Sequence, residues 1–377
     1  FDKIAPDALL TFTQFAPVPK SEFEGIDPLQ VQQAPFFQHP IGCGPFMVEE
    51  VNMKNYTILA PFDKYYNGVA DFKIQLLPSA GDSDPNVVTR AKSGNLDYGY
   101  TKMVADVQAL EGTPGITVTP IDVRYTRLFY LNKFDKKDGS PAPLADVRVR
   151  QALRYAIDME TICETLFQGS AVPANALAPD ANLKGGDLND YNYNPEKAKE
   201  LVAEANWDPN TVIKAVYYYT DQATVDLMTA VQAYLADVGI KMEFELVEGD
   251  LATILWTAPA DQTNGPRAVD WDICYAANAA LSLHEYYDRY RTGSPTNSHT
   301  PEDAELNRLI DATNASADVN AQNEAFKELI KYENENLFTM ALYYQPIFLI
   351  TSDKIGDIQK GTPQFCINWD IQNWNVQ

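Results

Sequence analysis

One stretch limits the fold more than any other. Val212 to Tyr219 alternates as a strand, and Asp221 to Val238 carries a helical apolar repeat. Gly239 stops that helix, and Ile240 to Val247 alternates again. Strand, helix, strand in this order is a βαβ crossover, which places the two strands parallel in one sheet. A chain holding such a unit is α/β, and the search for its remaining elements starts from there.

The same patterns recur on either side. Phe46-Met-Val-Glu-Glu-Val-Asn52, Tyr56 to Ala60 and Asp71 to Leu77 alternate as strands. Asn86 to Lys92 reads as a short helix, and Gly94-Asn95 turns the chain into Leu96-Asp97-Tyr98. This strand, helix and strand suggest one further α/β layer. Ile116 to Val118, Thr126 to Leu131, Ala268 to Tyr275, Met340 to Tyr344 and Phe348 to Thr351 read as strands. Pro301 to Asn314 and Asn320 to Asn336 read as helices. Before Gln38 the chain is rich in Pro, Phe and Gln, which predicts loops around short elements. The tail holding Trp369 and Trp374 reads as irregular.

Helix starts are marked clearly. Asp146 is an expected N-cap, with Val149, Ala152, Leu153, Ala156 and Ile157 on one apolar face and Arg148, Arg150 and Arg154 off it. Asp158 caps a second helix that Gly169 ends, and Asn194-Pro195-Glu196 opens a third.

At 377 residues, two or more lobes are expected, and 45% hydrophobic with 11% aromatic residues suffices for large cores. The 29 basic and 52 acidic residues give a net charge of −23, which disfavours nucleic acid and anionic membrane as partners. No apolar run reaches the length of a membrane span. Cys43, Cys163, Cys274 and Cys366 stand too far apart for metal or redox spacing. Buried free thiols are the plain reading, and one or two disulfides suit an exported chain.

Catalytic and metal-binding patterns are scarce. The histidines are His39, His284 and His299, and His284-Glu285 lacks the second histidine of a zinc-protease helix. No serine lies in a nucleophile elbow. The run Asp187 to Asn194 lacks the glycine and closing glutamate of a calcium loop. Gly42-Cys43-Gly44 is followed by Pro45, which excludes a dinucleotide loop. These glycines are expected to take backbone angles closed to other residues. No catalytic residue, metal ligand or cofactor is expected.

Four stretches carry a resemblance. They are Pro40-Ile-Gly-Cys-Gly-Pro-Phe46, and Lys64-Tyr-Tyr-Asn-Gly68 followed by Ser93-Gly-Asn-Leu-Asp97. The third, Leu144-Ala-Asp-Val-Arg-Val-Arg-Gln-Ala-Leu-Arg-Tyr-Ala-Ile-Asp158, is the most specific. The fourth pairs Asn194-Pro-Glu-Lys-Ala-Lys199 with Ala233-Tyr-Leu-Ala-Asp-Val-Gly-Ile240. In this order they resemble the oligopeptide- and dipeptide-binding solute receptors of ABC importers, with Cys43 where that family has threonine. The family's lysine-rich first segment is not among these residues. The resemblance therefore implies a carboxy-terminal portion of a longer protein, without its lipoprotein signal and extra small domain.

The resemblance implies a two-lobed, periplasmic-binding-protein-like (type II-like) α/β fold with mixed sheets, flanking helices and a hinge. Residues 1–121 would form part of lobe I, 122–344 lobe II, and 345–377 the return to lobe I. It implies a monomeric, non-enzymatic receptor for a small peptide or other polar solute. That receptor serves a membrane permease, in the periplasm or lipid-anchored at the outer face of the cytoplasmic membrane. Strand ends and following loops are where such a ligand binds. They nominate Tyr100, Thr101, Tyr125, Arg127, Trp256, Asn278 and His284, against the alternative of ordinary packing or solvated loop at each. In peptide-binding members an aspartate after the strand matching Asp270 to Tyr275 holds the peptide amine. Here Ala276 to Ser282 has no carboxylate, so either the amine is bound elsewhere or the ligand lacks one, which leaves oligosaccharides and other polar solutes open. A hydrolase of peptides or glycans, and a surface receptor or adhesin with the same fold, are the alternatives.

Overall fold

The computed structural model describes residues 4–13, 16–52, 54–78, 84–121, 123, 125–280, 282–356, 358 and 370–377. Trp369, Cys366 and the adjoining tail lie outside these residues. The chain divides into two compact units, Phe1–Ala8 with Asp122–Pro346, and Leu9–Ile121 with Ile347–Gln377. In chain order the elements begin with α1 (Ala8–Thr13), β1 (Phe46–Asn52), β2 (Tyr56–Pro61) and β3 (Ile74–Leu76). Then come α2 (Val87–Lys92), β4 (Tyr98–Thr101), α3 (Val104–Leu110) and β5 (Ile116–Ile121). The larger unit continues with β6 (Tyr125–Leu131), α4 (Val147–Ala156), α5 (Met159–Thr165), β7 (Val172–Pro173) and α6 (Pro195–Glu204). After these follow β8 (Val212–Tyr217), α7 (Gln222–Asp237), β9 (Lys241–Leu246), α8 (Leu251–Trp256) and β10 (Ile273–Ala279). It closes with α9 (Leu283–Asp288), α10 (Ala304–Thr313), α11 (Val319–Asn336) and β11 (Thr339–Tyr344). The chain then adds β12 (Ile347–Ser352), β13 (Ile355–Gly356) and β14 (Asn375–Val376) to the smaller unit.

The larger unit is a mixed six-stranded sheet in the order β7-β11-β6-β10-β8-β9, covered on both faces. β8 runs parallel to β9 and β10, as the crossover pattern requires. Asp221 accepts from the Thr224 N–H at 2.9 Å to start α7, and Gly239 at φ +85° ends it. Alternate residues of β6 enter opposite cores. Phe129 and Leu131 pack with α4, α5 and α7, whereas Leu128 and Tyr130 pack with α9, α10 and α11. A strand apolar on both sides must lie inside a sheet, and β6 does, between β10 and β11.

The smaller unit holds two antiparallel three-stranded sheets, β1-β2-β3 and β4-β12-β5. The expectation of one α/β layer from β3, α2 and β4 fails here. β3 pairs with β2, and β4 pairs with β12 from the far end of the chain. Local periodicity carries no information about so distant a partner. Val87, Ala91, Leu110 and Ile350 form the small core of α2, α3 and the second sheet. Trp374 packs at 5.2 Å against Tyr98, the rings tilted.

Two further expectations need correction. Gly42 and Gly44 do not take positive φ, and a Cβ on either would meet nothing closer than 3.9 Å, so no local crowding demands glycine there. Arg150 and Arg154, placed off the apolar face of α4 by the sequence, are themselves buried. Arg150 donates to the Leu144, Ala145 and Asn336 carbonyls at 2.7–3.1 Å, and Arg154 to Ala174 O at 3.0 Å. Asp146 caps α4 as expected, accepting from the Arg148 N–H at 2.8 Å. Cys43, Cys163 and Cys274 are free thiols.

Glu333 on α11 is wholly buried. It accepts from the Leu177 N–H at 2.6 Å and the Tyr287 hydroxyl at 2.7 Å, and so ties the 174–178 segment and α9 to α11. Burial raises its pKa to about 8, against the lowering pull of those two donors and Lys184. A carboxyl protonated in the folded state and ionised in the unfolded one stabilises the fold at low pH. That contribution is lost as pH rises from the unfolded carboxylate range through about 8. Burial also lowers Lys184 to about 8, and that group has the opposite slope above pH 8. Glu333→Gln, which mimics the protonated acid, is therefore expected to flatten the fall in stability between pH 5 and 8 in urea unfolding. Parallel pH profiles for the two proteins would contradict this assignment.

Candidate functional site

The strands β8, β9, β10 and β11 point the same way in the sheet, so their carboxyl ends share one edge with the first residue of antiparallel β6. Ligands of open α/β sheets bind at such carboxyl edges, because the connecting loops there project side chains beyond the packed layers. β6 begins at Tyr125 and β11 ends at Tyr344, both at that edge.

Arg127 is the most distinctive residue there. It lies one turn of the pleat inside β6, opposite Ala277 on β10 and Tyr343 on β11, and is 6% exposed. The guanidinium carbon sits 4.0 Å from the Tyr219 ring centre, 5.0 Å from Tyr125 and 5.7 Å from Tyr275. The small Ala277 opposite leaves room for this arrangement. The Tyr275 and Tyr343 hydroxyls lie 2.8 Å apart, and those of Tyr218 and Tyr219 3.1 Å apart, which fixes the rings. Burial works against the charge, but the phenol oxygens of Tyr275, Tyr343, Tyr219 and Tyr125 outweigh it. The pKa stays well above the ordinary arginine value. The edge therefore presents a permanent cation framed by aromatic faces, suited to an anionic group and to flat or apolar parts of a ligand.

The other nominated residues do not gather round it. Asn278 and Thr126 are opposed on the other face of the sheet, and both are fully buried. Asn278 Nδ2 donates to Tyr286 O at 3.3 Å, while its Oδ1 accepts no hydrogen bond among the described residues. Trp256, at the end of α8, packs on Tyr130 and Trp271 at 4.9 and 6.5 Å on that second face. His284 in α9 packs on Phe326 at 4.9 Å, with Nδ1 3.2 Å from the Thr313 hydroxyl. Tyr100 and Thr101 belong to the smaller unit. Tyr100 is 42% exposed, whereas Thr101 is buried, donates to Asp106 at 2.6 Å and accepts from the Met103 N–H at 3.0 Å.

Sequence reasoning passed over Tyr219, Tyr275 and Tyr343, which frame Arg127. The signal was present in Tyr217-Tyr-Tyr219, three aromatics where a buried strand runs out into a loop. It also placed Ala276 to Ala279 in a loop, although they extend β10. The carboxylate missing from that stretch arrives from elsewhere in the chain. Asp7 accepts from the Ser282 hydroxyl, and its other oxygen lies 3.7 Å from His284 Nε2. Among the described residues no group of His, Cys, Asp and Glu could hold a metal ion.

The sequence profile of the bacterial extracellular solute-binding proteins, family 5 (middle region), matches residues 1–300. The chain belongs to that family. It is 26% identical to the oligopeptide-binding protein AppA of Bacillus subtilis over 272 residues, which cover 67% of this chain and 46% of AppA. The Escherichia coli dipeptide-binding protein is 29% identical over 168 residues, 44% of this chain and 30% of that protein. The chain spans about half or less of the length of the curated relatives it matches. Among solved structures, the substrate-binding protein CtaP of Listeria monocytogenes superposes with a TM-score of 0.79 at 20% identity. That match covers 99% of this chain and 74% of CtaP. AppA of B. subtilis, solved with a nonapeptide, gives 0.74 at 18% identity, covering 96% and 72%. These family 5 structures share the two-lobed α/β fold with mixed sheets and flanking helices that the sequence implied.

Tyr219→Ala removes the closest ring from the Arg127 guanidinium. It is expected to destabilise this family 5 chain by about 1–2 kcal/mol in urea unfolding, and Tyr219→Phe, which keeps the ring, by clearly less. Equal losses from the two substitutions would place the contribution in the hydroxyl instead.

Proposed function

We propose that this chain is the ligand-gripping portion of an extracytoplasmic substrate-binding component of an ABC importer, and that it captures peptides or a related polar solute. Arg127, buried beneath Tyr219 at the carboxyl edge of the six-stranded sheet, is the observation that carries this reading. A cation already desolvated and braced by rings binds an anionic group without first having to order a long side chain. The family assignment, and the nonapeptide bound to the related AppA, support a peptide as ligand.

In this reading Tyr125 and Tyr219 contact the ligand beside Arg127, whereas Trp256 and Asn278, on the other face of the sheet, support that edge by packing. Thr101 and His284 serve chiefly to hold their own segments. Asp7, next to Ser282, gives the loop after β10 the carboxylate that its own residues lack, which keeps a ligand amine within the chemistry of this unit. The protein works outside the cytoplasmic membrane as a monomer, free or lipid-anchored. It delivers its cargo unaltered to a permease and performs no turnover.

The test is calorimetric titration of the full-length gene product with a mixed peptide series, each peptide having a free or amidated carboxyl terminus. Arg127→Ala is expected to weaken binding of the free-acid peptides by about 2 kcal/mol or more, with a smaller effect on the amidated ones. Equal affinity of Arg127→Ala and the unaltered protein for every peptide, or recovery of cleaved peptide by mass spectrometry, would refute the assignment.

A further inference from the structure

At the opposite edge of the same sheet, past the end of β6, lies a second polar cluster that the proposed ligand site does not use. Asn132, Trp271 and His299 are each at least 99% buried, and Asn132 Nδ2, Trp271 Nε1 and His299 Nε2 have no hydrogen-bond partner among the described residues. The His299 ring lies 5.0 Å from Tyr130, 5.0 Å from Tyr290 and 6.4 Å from Trp271. The Lys133 N–H donates to His299 O at 2.9 Å, which joins the segment after β6 to the same cluster. Leaving a buried polar group unpaired costs about 1–3 kcal/mol, so three in one cluster need a reason.

All three atoms can donate. Asn132 Nδ2 and Trp271 Nε1 are obligate donors. His299 Nδ1 is 2.8 Å from the Thr300 hydroxyl, and if it accepts that proton, Nε2 carries the ring hydrogen. Burial, with Lys133 and Arg289 nearby, lowers the His299 pKa well below its ordinary value and keeps the ring neutral.

The local charge has the same sense. Lys133 Nζ donates to the Leu131 and Phe338 carbonyls at 2.6 and 2.7 Å, and Arg289 Nη1 lies 3.5 Å from the Tyr130 hydroxyl. Among the described residues neither cation forms an ion pair. Asp303, the acid that acts on Lys133, is engaged by the Tyr332 hydroxyl and the Leu306 N–H. Asp272 is engaged by Arg267. Burial, with Arg150 nearby, holds the Lys133 pKa well below its ordinary value, so an anion beside it would favour the charged form. With Arg289 and three unmet donors, this is a local setting suited to a negative guest.

We propose that Asn132, Trp271 and His299, with the charges of Lys133 and Arg289, bind one small inorganic anion of chloride size. The anion gives the three donors an acceptor and balances the two cations, and it fastens the end of β6 to the segments around Trp271 and His299. It is a structural ligand, separate from the cargo at Arg127.

The experiment follows the thermal unfolding midpoint of the chain as sodium chloride, sodium bromide or sodium gluconate is added at matched ionic strength. Chloride and bromide are expected to raise the midpoint saturably, and gluconate, too large for the site, is not. Lys133→Met is expected to weaken the apparent chloride affinity about tenfold or more. Trp271→Phe, which removes the indole N–H along with part of the ring system but leaves an aromatic ring in place, provides a second variant with a smaller loss of chloride affinity if Lys133→Met fails to fold. In crystals soaked in bromide, an anomalous peak should lie beside His299 Nε2. Coincident curves for the three salts, an unchanged chloride response in Trp271→Phe, or water alone at that position would overturn the proposal.

Discussion

The larger unit depends on one strand having neighbours on both edges and cover on both faces. β6 runs Tyr-Thr-Arg-Leu-Phe-Tyr-Leu, and every residue after Tyr125 is buried. Such a strand cannot sit at an edge, since its unpaired N–H and C=O groups would be removed from water without partners. Its two neighbours, β10 and β11, come from much later in the chain. Everything between them, including the βαβ unit, must fold so that both return antiparallel to β6. The common carboxyl edge, and so the setting of Arg127, follows from that arrangement.

Polar groups enter these cores only on strict terms. Arg150 and Arg154 use backbone carbonyls left over at segment ends, including Asn336 O at the end of α11 and Ala174 O. Arg267 and Asp272 form a buried pair at 2.6 Å, and Asp272 also accepts from the Lys214 N–H. Glu333 is held by two donors. Each of these groups joins elements far apart in sequence, and losing one partner would strand the other in a poorly solvating medium. The sheet is therefore tied at several points by directional contacts as well as by apolar packing.

Arg127 differs from these in kind. Its prominent contacts are aromatic faces rather than carbonyls, so its charge is braced by rings. Lys133, Arg289 and His299 gather at the other edge of the sheet. The chemistry at each edge follows from this chain's own residues.

Short-range physics was legible in the sequence. The caps at Asp146, Asp158, Asn194 and Asp221, the stop at Gly239 and the parallel pairing of β8 with β9 all follow from patterns within about forty residues. A capping side chain, an apolar repeat and a turn residue act locally. Only the tertiary structure decided that β4 pairs with β12, that Arg150 and Arg154 are interior, and that Asp7 reaches Ser282. The same holds for the rings of Tyr219, Tyr275 and Tyr343 round Arg127. These contacts join residues that no periodicity relates, and their energy depends on the burial and exclusion of water that the assembled sheet creates.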